Sequence, residues 1–538
     1  MMKKVYDILL LAIAVFVSAG FASCSDTAGD LTEGGMDYSK TETYITFNVS
    51  LPIDDTRAGL SEEYYPDGDD FKPGSTNEDR IDDMSFFLFN MHSWGANGDL
   101  NCLFKGHLDN NSDVEWKEEN GGVSMTFRLV GYRPQEDDRV IVVANIGNKL
   151  DQITKLKDLR NYLDYEAWRT NGTSLSDCDH FVLSSSYDDL SNGKVEFLGR
   201  AGSKKDPYIT GVRLHRVSAR IDFLYDPARN TSGDHPASFD YHVRQSPGNE
   251  NTPLLGTMRI THIVPLNIMQ HSSYIIRRVT STSDIRGGDI LYGGREKKDA
   301  NGIPSNYVVE PESLNKGVKN NEIVKDSLSG WYGHTRADYI FTSPTEHLTG
   351  NGIADYMQNK RQEDGLTFVT VAYANENTQS KELHSSKYMT GLMLRTIYVP
   401  ATVYADGNAT TKSAEDFSNG RTFWRYVPAY SSSGESGCLY FDNAAAASAY
   451  QTAHAGTVTE YPEGLSYYNV WIRHAQTDTP TGESYPMEYA IVRNNIYRIE
   501  VQYVTGPGSP TPGEDTPNAG IHIYVKKWNK RVQPPIRL

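Results

Sequence analysis

Short runs in which every second residue is apolar recur along this chain, and they restrict it to a sheet-based fold. The run YITFNVSL at 44–51 shows the pattern most clearly. Ile45, Phe47, Val49 and Leu51 fall on one side, with Thr46, Asn48 and Ser50 on the other, as the two-residue period of a strand requires. Further strands are expected at 81–90, 122–130, 138–145, 210–225, 257–265, 366–374, 391–400, 465–473, 488–504 and 520–528. The stretch 138–145 contains an unbroken apolar run and predicts a strand central in its sheet. Helical spacing is seen at 151–164, where Ile153, Leu156, Leu159 and Leu163 recur, and a short helix is expected in the Ala run from 444 to 450. A hairpin is expected near 181–199, turning at Asn192 and Gly193. The 34 Tyr strengthen the strand preference. The fold class that follows is all-β with few short helices.

At 538 residues the chain is too long for one ordinary sandwich and long enough for two full cores. A break in composition at 201–207, with Gly202, Ser203, Lys204 and Lys205, places the boundary near 208. An N-terminal β-sandwich over 58–208 and a C-terminal one over 209–538 are expected. The strand 210–225 should open the second, with Val217, Ala219, Ile221 and Phe223 alternating against Ser218, Arg220 and Asp222. Two segments read as irregular. The acidic stretch 59–80 reads as a solvated loop. Its Asp67, Asp69 and Asp70 lack the full register of a calcium loop, so no metal is expected. The Pro/Gly-rich stretch 505–519 reads as a linker that holds no sheet position.

The first residues belong to processing and not to the fold. Lys3 and Lys4 precede an apolar run from 8 to 21, followed by Ala22, Ser23 and Cys24. A basic start, a short apolar run and small residues make an export signal over 1–23. A Cys at the cleavage point makes it a lipoprotein signal, in which the Cys24 thiol takes a diacylglycerol. Phe21 departs from the Leu, Val or Ile usual at that position, and an ordinary signal with a chance Cys is the competing reading. The apolar run is too short and too early for a stop-transfer span. Residues 24–57 then form a propeptide that carries the lipid, a polar tether and the first strand.

A formal net charge of −17 argues against nucleic acid and against docking on anionic lipid, so the membrane is reached only through the precursor lipid. No further cofactor is expected. Cys102, Cys178 and Cys438 cannot all pair internally. A Cys102–Cys178 bridge is one option, and three buried or free thiols is the favoured one, since a large core needs no staple. No phosphate loop, nucleophile elbow or HExxH pair is present, and the chain is read as a non-enzyme with no catalytic residue. The rival class is a surface glycan-binding lipoprotein, with Trp94, Trp331 or Trp424 stacking on sugars.

Several segments, in order along the chain, carry a family resemblance. They are Cys24 followed by a strand and the Thr56, Arg57, Ala58 step; VIVVANIGN at 140–148; LHRVSARI at 214–221; YYNVWIRH at 467–474 with EYAIVRNNIY at 488–497; and a last strand ending at Trp528. The chain resembles the fimbrillins, the pilins of type V pili, and in its second half looks most like the shaft subunit of the minor fimbriae. Insertions near 268–360 and 401–460 lie outside the resemblance.

The resemblance implies two tandem transthyretin-like Greek-key sandwiches. It also implies a lipidated, palmitate-bearing precursor on the outer membrane and cleavage by an Arg-specific protease, here between Arg57 and Ala58. Cleavage removes the first strand with Ile45, Phe47, Val49 and Leu51. The C-terminal segment of a neighbour then fills the groove, and a fimbrium grows on the cell surface. Candidate donor residues are Ile521, Ile523, Val525 and Trp528, with Val532, Ile536 and Leu538 beyond. Partners would be other copies of the chain, accessory fimbrial subunits and the protease, with a host or bacterial surface ligand as a further possible partner. Tip and anchor roles are the alternatives within the family. Tyr467, Tyr468, Trp471, Arg493, Asn494 and Asn495 read as strand and corner residues of the fold.

Overall fold

A computed structural model describes residues 42–50, most of 71–225 and 239–280, short stretches between 290 and 363, and most of 366–378, 389–411, 421–474, 488–512 and 519–529. Within these residues the chain is mostly strand, arranged as two sandwiches with few short helices.

The N-terminal sandwich is built from β1 (Glu42–Ser50), β3 (Met84–Asn90), β4 (Phe104–Leu108), β5 (Lys117–Glu119), β6 (Gly122–Val130), β7 (Asp138–Ala144), β8 (Leu183–Ser185), β9 (Val195–Glu196) and β10 (Tyr208–Arg216). One more strand, β2 (Phe71–Pro73), precedes β3 in the chain but belongs to the other sandwich. The nine strands run in the order β4-β3-β7-β8-β10-β1-β6-β5, with β9 paired to β10. The sheet closes over one core. Ile45, Phe47 and Val49 of β1 pack in the same cluster as Phe86 and Leu88 of β3 and Val140 and Val142 of β7. The predicted centrality of 138–145 holds, since β7 lies between β3 and β8 with Ile141, Val142 and Val143 buried.

The C-terminal sandwich has two sheets. One contains β2, β11 (Ser218–Tyr225), β14 (Lys360–Glu363), β15 (Leu366–Asn375), β18 (Asn495–Val504) and β19 (Ala519–Asn529), in the order β2-β19-β18-β11-β15-β14. The other runs β12 (Phe239–Arg244), β13 (Leu254–Leu266), β16 (Gly391–Pro400) and β17 (Leu465–Trp471), with Asn351–Gly352 beside β13. Ile221, Phe223, Val369 and Ile499 from the first sheet meet Met258, Ile260, Leu392 and Leu394 from the second in one buried cluster. The 401–460 insertion folds into a sheet of its own, and its Val403, Phe423 and Tyr440, with Tyr461, join the core of the C-terminal sandwich. Five strands within 402–461 carry a helix, Ala444–Ala453, whose N-terminus is capped by Asn443 Oδ1 accepting from Ala446 N at 2.7 Å.

Four expectations change. The single strand expected at 210–225 is two, β10 and β11, and the chain passes between sandwiches at Val217. A boundary at 208 would therefore cut β10 from β1 and β8, its partners. The 181–199 hairpin does not form: β8 and β9 both pair with β10 and not with each other. Gly193 instead takes a positive φ of 73° and lies against Val140, whose N–H donates to its carbonyl at 2.8 Å. The expected 151–164 helix shortens to Leu156–Asn161, although Ile153, Leu156 and Leu159 are buried as its spacing requires. The acidic stretch at 59–80 is not solvated to its end, because Glu78 and Asp79 are fully buried.

Those two carboxylates tie the sandwiches together. They sit on a one-turn helix, Thr76–Asp79, packed against β11, β14 and β15. Glu78 accepts from Arg220 Nη1 at 3.0 Å, from both terminal nitrogens of Arg361 at 3.1 and 2.7 Å, and from Tyr373 Oη at 2.7 Å. Asp79 pairs with Arg216, and Asp222 takes the other side of Arg220 at 3.0 Å. Arg216 and Arg220 are completely buried. Charges this deep hold only when each has a partner, and removing one strands the rest. Burial and the neighbouring Glu78 push the Tyr373 hydroxyl well above its usual range, so it remains a donor. An apolar contact adds to the junction: Phe87, Phe89 and Ile141 on the outer face of the first sheet pack with Val217, Ile275 and Ile276.

Candidate functional site

Strand β1 lies inside its sheet, between β10 and β6. It runs parallel to β10 from Ile45 opposite Tyr208 to Ser50 opposite Arg213, and antiparallel to β6 from Glu42 opposite Val130 to Ser50 opposite Gly122. Both of its backbone edges are therefore engaged. Its alternation does what the sequence dictates. Ile45, Phe47 and Val49 are at most 2% exposed. Phe47 forms the middle of an aromatic group, with ring centroids 5.2 Å from Phe86 and 4.8 Å from Phe127. On the other face Thr46 and Thr126 share a hydroxyl hydrogen bond of 2.8 Å, and Ser124 Oγ donates to Asn48 Oδ1 at 2.9 Å. At the start of the strand Arg128 pairs with Glu42 at 3.1 Å, and Tyr44 N donates to Gly202 O at 2.9 Å. Burying each of the three apolar side chains contributes about 1.5–3 kcal/mol. An empty β1 slot would be an apolar trench between two unpaired edges.

The last described strand, β19, is held differently. It is antiparallel to β18 from Ala519 opposite Val504 to Lys527 opposite Asn495, with an irregularity between Val501 and Tyr503. On its other side only Lys527–Asn529 are paired, parallel to Phe71–Pro73 of β2. Among the described residues, 519–526 face no further strand. The backbone thus places Ile521, Ile523, Val525 and Trp528 in a strand next to the edge of their own sandwich.

The Pro/Gly stretch before β19 is only partly a linker. Ser509 and Tyr467 exchange backbone hydrogen bonds at 2.8 and 2.9 Å, and Tyr468 and Tyr461 donate to the carbonyls of Gly506 and Gly508. At Gly508 a Cβ would stand 2.2 Å from the Tyr467 carbonyl oxygen, which is why no larger residue fits. The expectation that 505–519 holds no sheet position fails over its first half, for this reason.

The residues read as corner-forming do so. Arg493 reaches the carbonyl of Ile275 at 2.8 Å and Glu376 at 2.7 Å. Asn494 adopts a φ of 57° and accepts from Arg216 N at 3.2 Å, and Asn495 donates to the carbonyls of Val492 and Arg493. Tyr467, Tyr468 and Trp471 line β17. Cys102 and Cys178 are buried and Cys438 is half-buried, and no disulfide joins them to one another. Trp424 is half-buried against the insertion's own aromatic cluster. Cys24, Leu51, Arg57, Ala58, Trp94, Trp331, Val532, Ile536 and Leu538 lie outside the described residues.

Sequence reading overlooked the Glu78 cluster and the pinned linker. The signal for the first was partly present in LHRVSARI: Arg216 continues the buried side of Val212 and Leu214, whereas Arg220 stands with Ser218 and Asp222 on the side opposite Ala219 and Ile221. A buried Arg demands a carboxylate, and the acidic stretch just before β3 was the nearest supply.

The described residues thus form two β-sandwiches, with the first strand inside one and the last strand next to the edge of the other. Residues 459–533 match the family model described as major fimbrial subunit protein type IV, fimbrillin, C-terminal, so this region is similar to the C-terminal region of the fimbrillins. Solved structures offer fainter likenesses. A fimbrilin (FimA) from Porphyromonas gingivalis is 14% identical over 90% of this chain and 98% of its own, with a TM-score of 0.34. The tip fimbrial protein Mfa3 of the same organism, truncated at its C-terminus, is 11% identical over 91% and 100%, with a TM-score of 0.33. A fimbrial assembly protein from Parabacteroides distasonis is 16% identical over 51% and 87%, with a TM-score of 0.24. No curated protein sequence matches.

Proposed function

We propose that this chain is a structural pilin subunit of a surface fimbrium, exported as a lipoprotein and polymerised by strand exchange after proteolysis. The observation that carries the reading is the position of β1. It occupies an interior slot with both edges paired and three core side chains, yet it precedes Arg57 in the chain. A cut after Arg57 would remove the strand together with the Cys24 lipid and leave a groove that only another strand can fill. The fimbrillin match over 459–533 supports the same reading. A subunit with both a removable first strand and an alternating last strand suits the shaft, where each copy must accept and donate. Such a contact is head-to-tail and open, so it extends into filaments. The first strand would protect the groove until the chain reaches the surface, and adhesion would follow from the filament.

The test is to treat the purified lipidated precursor with an Arg-specific protease. Ala58 as the new N-terminus, with polymer ladders on gels run in mild SDS, is the expected result. An intact monomer, or cleavage elsewhere without polymer, overturns the proposal. Deleting residues 519–538 separates the roles: a shaft subunit then caps growing chains, while a tip subunit assembles as before.

A further inference from the structure

We infer that β19 of one copy enters the β1 slot of the next in the same direction as β1, with Ile521, Ile523 and Val525 taking the places of Ile45, Phe47 and Val49. This rests on the strand-exchange reading and specifies its register and direction.

The inward positions of β1 read Ile, Phe, Val, and the alternate positions of β19 read Ile, Ile, Val in the same order. In the reverse direction the ends mismatch, with Ile521 in the Val49 place. Position 43 decides more firmly. Thr43 is 3% exposed. Forward insertion puts Ala519 there, a small residue that suits a closed site. Reverse insertion puts Lys527 there, burying an ammonium without a partner, which is far costlier. Forward insertion also carries Lys526 to the Ser50 place and Lys527 past the end of the strand.

The competing donor, 532–538, does not suit this slot. Because β1 is paired on both sides, its replacement must supply backbone donors to both β6 and β10. Pro534 and Pro535 supply none, and proline is confined to edge strands. Release of β19 is also feasible, since among the described residues it is paired beyond β18 only at Lys527–Asn529, and its tether begins after the pinned Ser509.

The match is imperfect at one place. Ile523 is smaller than Phe47, so the space beside Phe86 and Phe127 is underfilled in the polymer.

Disulfide trapping tests the register. In β1, Thr46 touches Thr126 and Asn48 touches Ser124. Forward insertion brings His522 to Thr126, and reverse insertion brings it to Ser124. A cleaved His522→Cys subunit is copolymerised with a Thr126→Cys subunit, and separately with a Ser124→Cys subunit. Each is first shown to melt like the unsubstituted protein. Boiled, non-reducing gels should show covalent dimers with Thr126→Cys and not with Ser124→Cys. Dimers with Ser124→Cys alone overturn the direction. Polymer without either dimer overturns β19 as the donor. Absence of polymer from the unsubstituted, cleaved chain defeats the function reading itself, and this inference with it. As a second measurement, Ile523→Phe should slow subunit loss from the polymer by about tenfold. An unchanged or faster loss overturns the underfilled pocket and the register that creates it.

Discussion

The first and last described strands of this chain have nearly the same alternating sequence and opposite mechanical situations. β1 stands in the interior of its sheet, paired along both edges, with Phe47 wedged between two other rings. β19 is fully paired on one side and on the other meets three residues of β2. Losing β1 should dismantle a core, whereas losing β19 should expose an edge. A strand that must be pulled out is best kept near an edge, and a strand that must hold a site closed is best kept in the interior.

Four substitutions would break or sharpen that contrast. The largest effect is expected at the knot joining the sandwiches. Glu78→Ala leaves Arg220 and Arg361 without their shared carboxylate and should lower stability by about 3–5 kcal/mol, read from chemical denaturation of precursor and cleaved subunit alike. Phe47→Ala should cost about 3–5 kcal/mol in the precursor and nothing in a polymer grown from cleaved subunits. Equal losses in both forms would mean that β1 never leaves. Gly508→Ala forces a side chain onto the Tyr467 carbonyl and should cost about 1–3 kcal/mol. By unpinning Ser509 it should also speed assembly, measured by light scattering after cleavage; slower assembly would mean that the pinned linker guides β19.

The smallest effect concerns Asp164, whose strand, Leu163–Asp164, pairs across the junction with Ser273–Tyr274. Burial raises its pKa, against the opposing pull of Lys149. An acid with a raised folded pKa contributes stability that is present below its unfolded value and lost as pH rises through the folded one. Asp164→Asn should remove that loss. Thermal melting of the two proteins should converge below the ordinary carboxylate range and separate above it, with the variant more stable at neutral pH by less than about 1 kcal/mol. The opposite ordering at neutral pH would mean that the Lys149 pair outweighs the burial.

Much of the fold was readable from alternation, because a strand with one buried face must show it in sequence. The positions of β1, β6, β15, β16 and β19 follow from that period, and that of β7 from its unbroken apolar run. What was not readable depended on partners far away in the chain. The switch at Val217 did leave a local trace: in 210–225 the apolar positions are even at Val212 and Leu214 and odd from Val217 to Phe223, and the chain changes sandwich where that phase changes. Residues 183–185 and 195–196 flank a good hairpin turn, yet both prefer the intervening strand β10. Glu78 looked like one more acid in an acidic loop, since its burial is decided by arginines contributed by β11 and β14. For the candidate site, the apolar face of β1 was legible, but its interior placement was not, because pairing on two edges is a property of β6 and β10.

The buried knot around Glu78 has a consequence for a filament under tension. If each subunit grips its neighbour through the N-terminal groove and is gripped through its C-terminal strand, any pull along the fibre must cross the junction between the sandwiches. One covalent path there is a single residue, Val217, bridging two sheets, and another runs from β2 to β3. Beside it, Thr76–Asp79 forms a second strut, anchored by several charged hydrogen bonds that would have to shear together. The subunit would then carry load as a braced beam instead of as two beads on a string. The stiffness of the fibre would be set in the same few residues that follow the proposed cut.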